Sequence, residues 1–134
     1  MSVDYSLEPH LSAGEFQTIL IASTLAERRP VQDLARLDKM LRNADLVVTA
    51  RDAGRLVGVA RAITDFSYCC YLSDLAVDAG RQRQGIGRRL IEETRMAAGE
   101  GCSLILLAAP AAEGYYPKIG MKPVSSGWII ARDR

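Results

Sequence analysis

The segment from Ala76 to Glu93 reads AVDAGRQRQGIGRRLIEE and joins an apolar stretch to a helical pattern through a turn rich in glycine and arginine. Glycine lets a ligand approach the main chain closely. A helix start offers unpaired N–H groups and the positive end of the helix dipole, which together hold phosphate. Positive side chains around the turn are Arg81, Arg83, Arg88 and Arg89. The segment predicts a pyrophosphate site or, in the simpler alternative, a tight turn with a solvated cationic face.

Periodicity on the N-terminal side of this turn predicts a strand, two helices and a three-stranded meander. An S-x-x-E capping box at Ser12 marks the first helix start, and the Asp and Gly of residues 51–54 mark a hairpin turn. The predicted elements are a strand at 2–9, helices at 12–26 and 30–43, and strands at 45–50, 55–63 and 68–77.

On the C-terminal side, a helix begins at Ile86 and ends near Gly99 or Gly101, which suit a C-cap. The apolar run at 103–109, SLILLAA, predicts a strand buried on both faces. A right-handed crossover would place it parallel to the strand at 68–77. A short helix around 111–116 and a last strand at 124–132 follow. The pattern indicates one α/β domain over 1–134, with a mixed, mainly antiparallel sheet flanked by helices.

Composition narrows the classes of function. Lys plus Arg is 17 against 16 for Asp plus Glu, so no basic field indicates a nucleic-acid partner. The N-terminus lacks the features of a signal peptide, and the longest apolar run is too short to span a bilayer, so we expect no membrane partner and a cytoplasmic location. Three cysteines cannot form a disulfide framework, and adjacent Cys69 and Cys70 point to opposite strand faces, so no metal is expected.

Two other phosphate motifs fit poorly. A Walker loop requires G-x-x-x-x-G-K followed by Ser or Thr, which the chain lacks. A dinucleotide fingerprint requires a third glycine where Leu90 stands and an acidic residue after the next strand, where LLAAP supplies none. A nicotinamide dinucleotide domain is therefore a weaker alternative.

Three motifs occur in order along the chain: LAVD at Leu75 to Asp78, QRQGIG at Gln82 to Gly87, and AEGYYPKIGM at Ala112 to Met121. The second fits the signature Q/R-x-x-G-x-G/A, and the third is similar to A-x-x-F-Y-x-x-x-G-F. In these motifs, and in the order of elements over nearly the whole chain, the sequence resembles the GNAT superfamily of N-acetyltransferases, which use acetyl-CoA.

The resemblance implies that main-chain groups bind acetyl-CoA. Amides of the glycine turn would hold the pyrophosphate, and a bulge with a splayed gap between the parallel strands would admit the pantetheine arm. A bulge leaves ladder groups unpaired, which is an independent reason to expect a ligand there. The cofactor-binding residues are then Leu75, Ala76, Val77, Gln82, Arg83, Gln84, Gly85, Ile86, Gly87 and Arg88.

Acetyl transfer to nitrogen requires a neutral amine. A lysine-like amine of pKa about 10.4 costs roughly 4.6 kcal/mol to deprotonate at pH 7, whereas an α-amine near 8 costs about 1.4. Asp74, directly before Leu75, is the candidate base, acting directly or through water. The alternative is a solvated or hydrogen-bonded strand end that only attracts a cationic acceptor. By resemblance, Tyr116 is the acid that protonates the departing thiolate, and Tyr115 packs.

Two departures from the family pattern bear on these roles. Ala109 stands where members often have an asparagine that contacts the cofactor, and Pro117 follows the tyrosines, which puts the direction of Tyr116 in doubt. His10 is expected at the surface, and Trp128 is assigned to packing or to the acceptor site. Arg28 and Arg29 indicate either an anionic acceptor group or a solvated helix end.

The sequence therefore predicts an acyltransferase that moves acetyl from acetyl-CoA to a primary amine of a small molecule or peptide, by direct attack in a ternary complex. The alternative is a catalytically silent acyl-CoA-binding regulatory module. The last strand would offer an exposed edge for a homodimer.

Overall fold

The computed structural model describes residues 2–110 and 113–133. Within these ranges the strands are β1 (Val3–Leu7), β2 (Leu46–Asp52), β3 (Arg55–Thr64), β4 (Cys69–Val77) and β5 (Ser103–Ile105). The α-helices are α1 (Ala13–Ala22), α2 (Leu34–Arg42), α3 (Ile86–Ala98) and α4 (Tyr115–Lys118). Two short 3-10 turns span Leu25–Arg28 and Ala79–Arg81.

The strands form one sheet in the order β1-β2-β3-β4-β5. The pairs β1–β2, β2–β3 and β3–β4 are antiparallel. The pair β4–β5 is parallel, because α3 crosses over between these two strands. This confirms the predicted fold class and the parallel pair next to the glycine turn.

Helices cover both faces of the sheet. Adjacent residues Val47 and Val48 of β2 belong to different buried clusters because successive strand side chains point to opposite faces. One cluster contains Phe16, Leu20, Leu37 and Leu41 of α1 and α2. The other contains Ile86, Leu90, Ile91 and Ala98 of α3. Burial of this helical stripe fixes α3 on the sheet and with it the position of the glycine turn.

The first two helices are shorter than predicted. Helix α1 ends at Ala22 because Thr24 adopts a left-handed conformation with φ 73°, which a helix cannot continue. Helix α2 begins after Asp33, whose carboxylate accepts a hydrogen bond from the Arg36 amide, and not at Pro30. The predicted ranges 12–26 and 30–43 are therefore wrong at two of their ends, the end of the first helix and the start of the second, and the residues between α1 and α2 form a loop with one 3-10 turn.

The C-terminal part differs most from the prediction. Residues 113–133 contain no strand, so the predicted strand at 124–132 is wrong, and Trp128 and Ile130 are 96% and 99% exposed. Residues 113–133 therefore do not provide the exposed strand edge that was predicted to support a homodimer. Strand β5 stops at Ile105 instead of Ala109, and Ile105 and Leu107 are 52% and 62% exposed, so burial on both faces is also wrong.

The short helix lies later than predicted. Residues 111 and 112 of the predicted helix lie outside the described ranges, and α4 spans Tyr115–Lys118. Pro117 is its third residue, where a helix tolerates proline because first-turn amides have no partner within the helix. None of the helices in the two described ranges is both long and apolar enough to cross a bilayer.

The close approach of α3 to the sheet depends on Gly58 of β3. A Cβ atom on Gly58 would lie 3.0 Å from Leu90 Cδ1 and 3.1 Å from Ile86 Cγ2. We expect Gly58→Ala to lower the free energy of unfolding by about 1–3 kcal/mol, because the helix must shift to admit the methyl group. Urea denaturation measures this change. Gly127→Ala, where no atom lies within 4 Å of the added Cβ, is the control and should leave the urea midpoint unchanged.

Candidate functional site

A bulge interrupts β4 beside the parallel pair. Arg61 of β3 lies opposite Asp74, whereas the next residue, Ala62, lies opposite Leu72. Ser73 is therefore the extra residue of the bulge and has no partner residue in β3. This agrees with the bulge that the family resemblance implied for this strand.

The parallel strands separate next to the bulge. Strand β4 pairs with β5 only from Cys69 to Tyr71, and the remaining residues of β4 have no partner on that side within the described ranges. A cavity of about 190 Å³ occupies the opening. Its lining consists of Ser23, Thr24, Leu25, Arg29, Leu72, Ser73, Leu75, Val77, Gln82, Leu106, Leu107, Ala109 and Tyr116.

The cavity brings together four of the predicted catalytic and cofactor-binding residues, Leu75, Val77, Gln82 and Tyr116, and its lining also includes Arg29 and Ala109. Ala76 is not among them, because its side chain is buried in the cluster beneath α1 and α2. The Val77 carbonyl accepts a hydrogen bond from Gln82 Nε2 at 3.3 Å, so a ligand that used this carbonyl would have to displace Gln82. The two main-chain positions of β4 thus face an open gap, as predicted.

The glycine turn leaves amides available at the start of α3. Gly85, the N-cap, has φ 81°, and the helix has no side-chain cap. The main-chain amides of Gly85, Ile86 and Gly87 donate no hydrogen bond to any residue in the described ranges. Three N–H groups and the positive end of the helix dipole therefore remain available for an anion.

Tyr115 covers part of this helix start. A Cβ atom on Gly87 would lie 3.1 Å from the Tyr115 hydroxyl, so glycine is what allows the phenol to lie there. Burial raises the pKa of Tyr115, while the positive charge of Arg88 and a hydrogen bond from the Arg88 amide lower it in part. The Tyr115 hydroxyl thus lies at the start of α3, whereas the sequence predicted only a packing role for this residue.

The four arginines of the turn are unequally paired. Arg81 Nη2 lies 3.0 Å from Asp52, and Arg89 Nε lies 3.1 Å from Glu93. Arg88 is 3.5 Å from Glu92 in an exposed pair, which is easily separated. Arg83 has no ion pair with any acidic side chain in the described part of the chain. A bound anion would therefore meet Arg83 and Arg88 first.

Tyr116 lines the same cavity as Gln82 of the glycine turn and is partly buried. Its ring centroid is 5.3 Å from that of Tyr115, and the two rings are inclined at 75°. Burial and then the neighbouring Tyr115 raise the pKa of Tyr116 above its ordinary value of 10.0. The phenol is protonated at neutral pH, which a proton donor requires.

Asp74, the candidate base, is fully buried and is not part of the cavity wall. Arg29 Nε donates to one carboxylate oxygen and Arg61 Nε to the other. Each oxygen of the carboxylate thus accepts one hydrogen bond from a guanidinium group. Sequence reasoning missed Arg61, although a charged residue within the apolar run VGVARAI is a signal for a buried partner.

The remaining candidates lie away from the opening. His10 is exposed, as predicted, and Trp128 is not packed. The cysteines are free: Cys69 is exposed, Cys70 is buried and Cys102 is partly buried. Among the residues that the structure describes, no group of three or more His, Cys, Asp or Glu side chains is arranged to hold a metal ion.

Comparison with known proteins agrees with this geometry. A family model described as Acetyltransferase (GNAT) domain matches residues 43–123 of the chain. A soybean (Glycine max) protein named Probable acetyltransferase TAP2 is 32% identical over 93 residues, which cover 61% of this chain and 38% of the relative. The chain thus spans about two fifths of the length of that curated relative.

Solved structures share the fold over nearly the whole chain. A probable acetyltransferase, SA2161, from meticillin-resistant Staphylococcus aureus has a TM-score of 0.80 at 23% identity, covering 98% of this chain and 99% of that one. The aminoglycoside N-acetyltransferase AAC(6')-Iy, solved in complex with CoA, has a TM-score of 0.75 at 15% identity, covering 99% and 96%.

Proposed function

The chain belongs to the GNAT family of acetyltransferases, and from this premise we propose that it transfers the acetyl group of acetyl-CoA to a primary amine of a small molecule or peptide. The amine attacks the thioester directly in a ternary complex. The observation that carries the proposal is that helix-start amides without a partner in the described ranges lie beside an open gap between β4 and β5. A pyrophosphate and its attached arm need these two features side by side.

The residues present fit acetyl-CoA. The amides of Gly85, Ile86 and Gly87 have no partner in the described ranges, and no acidic residue lies in the first turn of α3 to repel a phosphate. Arg83 and Arg88 add positive charge beside them. We assign the diphosphate to the turn from Gln82 to Arg88 and the pantetheine arm to the main chain of Leu75, Ala76 and Val77.

We assign Tyr116 as the proton donor to the departing thiolate. It lines the same opening as Leu75 and Val77, and its raised pKa keeps it protonated. A tyrosine in this state can donate its hydroxyl proton to sulfur as the carbon–sulfur bond breaks. The nitrogen releases one proton as it becomes an amide, and this proton, passed through water, restores the phenol.

Asp74 has a different role in this proposal from the one first considered. A base must reach the amine, but the Asp74 carboxylate is fully buried, does not line the cavity and accepts hydrogen bonds from Arg29 and Arg61. We therefore propose that Asp74 positions Arg29 at the cavity and that the amine reaches the thioester already neutral, having lost its proton to water.

This assignment predicts how the rate depends on pH. Without a protein base, kcat/KM should rise with pH up to the pKa of the acceptor amine itself. Because the pKa of Tyr116 is raised from 10.0, loss of the acid should not lower the rate below about pH 10. The measurement is kcat/KM from pH 6 to 10 with two acceptors of different amine pKa. A bend at the same pH for both acceptors would instead indicate a titrating protein group.

The proposed function is tested by calorimetric titration with acetyl-CoA, followed by thiol release with a panel of amines. The panel includes amino acids, polyamines, lysine peptides and an aminoglycoside, the last because a structural relative is named for that activity. We expect acetyl-CoA to bind and at least one amine to release thiol above background. Binding without release would favour the silent regulatory module, and stabilisation by NAD but not CoA would favour a dinucleotide domain.

A further inference from the structure

Arg29 is the one charged side chain among the described residues that line the cavity. It directly follows the 3-10 turn Leu25–Arg28, in the connection between α1 and α2. Its side chain is 21% exposed, so it is not the solvated helix end that the sequence allowed. The part of the cavity lining that comes from the connection between α1 and α2 therefore contains a positively charged side chain.

The Arg29 guanidinium is held in place by three hydrogen bonds. Nε donates to Asp74 Oδ1, Nη2 to the Ser73 carbonyl at 2.7 Å, and Nη1 to the Arg28 carbonyl at 2.9 Å. A guanidinium has five N–H donors. One N–H on each terminal nitrogen is therefore without a partner among the described residues, and the group that carries them borders the cavity.

The charges around Arg29 do not balance. Asp74 accepts from Arg29 and also from Arg61, whose side chain is buried and donates further to Ser73 Oγ at 3.0 Å. No second carboxylate in the described ranges contacts either arginine. Two cations thus share one anion beside the cavity. An excess buried charge is costly unless it is compensated, and an anion bound in the cavity would compensate it.

The chemistry of the two free N–H groups favours a carboxylate. Arginine recognises carboxylates through paired, charge-assisted hydrogen bonds, whereas a protonated amine would be repelled by the same group. The cavity also contains the opening assigned to the acyl arm, and its volume of about 190 Å³ suits a small acceptor. Neutral donors and acceptors from Ser23, Thr24 and Ser73 complete this end of the wall.

We propose that Arg29 binds a carboxylate of the acceptor, so that the substrate class is a small amine that also carries a carboxylate, as an amino acid does. This inference rests on the proposed function, because it names the acceptor of that same transfer. Asp74 and the Ser73 bulge hold the guanidinium so that its free edge is directed to the acceptor.

The test compares matched acceptors by thiol release from acetyl-CoA. Each set contains an amino acid, its carboxamide and the amine that lacks the carboxyl group, with spermidine as a polycationic probe. We expect kcat/KM at least tenfold higher for the amino acid than for either analogue of its set. The amine of the carboxamide has a lower pKa than the amine of the amino acid, so the carboxamide should react faster if the carboxylate made no contribution. A higher kcat/KM for the amino acid therefore indicates that its carboxylate is bound.

Variants localise the preference. Arg29→Gln should remove the tenfold preference while the Kd for acetyl-CoA stays within twofold, and Arg29→Lys should retain part of it. Arg28→Gln, a change at the exposed neighbouring arginine, is the matched control and should leave the preference intact. Circular dichroism checks that each variant is folded; the wild-type series tests the substrate class even if Arg29→Gln does not fold, and Arg29→Lys then tests the role of Arg29. A folded Arg29→Gln variant that kept the full preference would overturn the assignment to Arg29.

Two outcomes would overturn the inference in distinguishable ways. Equal or better turnover of the carboxamide, the decarboxylated amine or spermidine would remove the carboxylate-binding role but leave the acetyl transfer standing. Absence of thiol release with every amine, despite binding of acetyl-CoA, would contradict the proposed function and this inference with it.

Discussion

Gly87→Glu is expected to weaken acetyl-CoA binding roughly a hundredfold, because it blocks two of the interactions assigned to the diphosphate. Hydrogen bonds to a charged group contribute about 1.5–3 kcal/mol each, so the loss of one to two of them gives this magnitude. The new Cβ would lie 3.1 Å from the Tyr115 hydroxyl, and the added carboxylate would repel phosphate. Calorimetric titration with acetyl-CoA measures the change.

The same substitution should not unfold the protein. Glutamate in the first turn of a helix interacts favourably with the helix dipole, and Gly87 is the second residue of α3. Gly14→Glu is the matched control, because Gly14 is the second residue of α1 and its nearest non-neighbouring atom, Ser12 Oγ, is 4.0 Å from an added Cβ. Unchanged affinity in Gly87→Glu, or equal losses in both variants, would show that the α3 start does not hold the diphosphate.

Tyr116→Phe is expected to lower kcat by a factor of about 10²–10⁴, the usual contribution of general acid catalysis. The ring and its contacts in the cavity wall are retained, so the Kd for acetyl-CoA should stay within twofold. The measurement is thiol release at saturating acetyl-CoA and acceptor, at a pH where the amine is neutral.

Tyr115→Phe separates the two adjacent phenols. The Tyr115 hydroxyl lies over the start of α3, so its removal should change acetyl-CoA affinity a few-fold and leave kcat within about threefold. If Tyr115→Phe lowered kcat by a hundredfold while Tyr116→Phe did not, the acid would be the other tyrosine.

The predictions from the sequence were most accurate for elements whose own residue pattern favours the same structure as the elements next to them. The amphipathic stripe of α3, the meander of β2 to β4 and the crossover to a parallel β5 follow from local periodicity and chain handedness. The glycine turn was located for the same reason, because Gly85 at φ 81° needs the backbone freedom that its residue type supplies.

The errors arose where structure depends on distant residues. The apolar residues within 124–132 suit a strand, but a strand requires a partner, and the described part of the chain provides none for it. Similarly, the apolar run after Ser103 pairs with β4 only as far as Ile105, just before the bulge of β4 at Ser73. Neither the missing partner nor the divergence is encoded in the local pattern.

The candidate site shows the same limit. Position along the chain made Asp74 a reasonable base, but its two partners, Arg29 and Arg61, come from a loop and from another strand. Their convergence on one carboxylate depends on how α1 and α2 pack against the sheet. The role of Asp74 could therefore be judged only after the fold was known.

The central claim is that the start of α3 binds the diphosphate of acetyl-CoA while its arm enters the gap between β4 and β5. It is tested most directly by backbone amide NMR of the full chain during titration with CoA. We predict the largest chemical-shift changes at Gly85, Ile86 and Gly87, with a second group at Leu75 and Val77. Saturation by CoA with these five amides unmoved would contradict the claim.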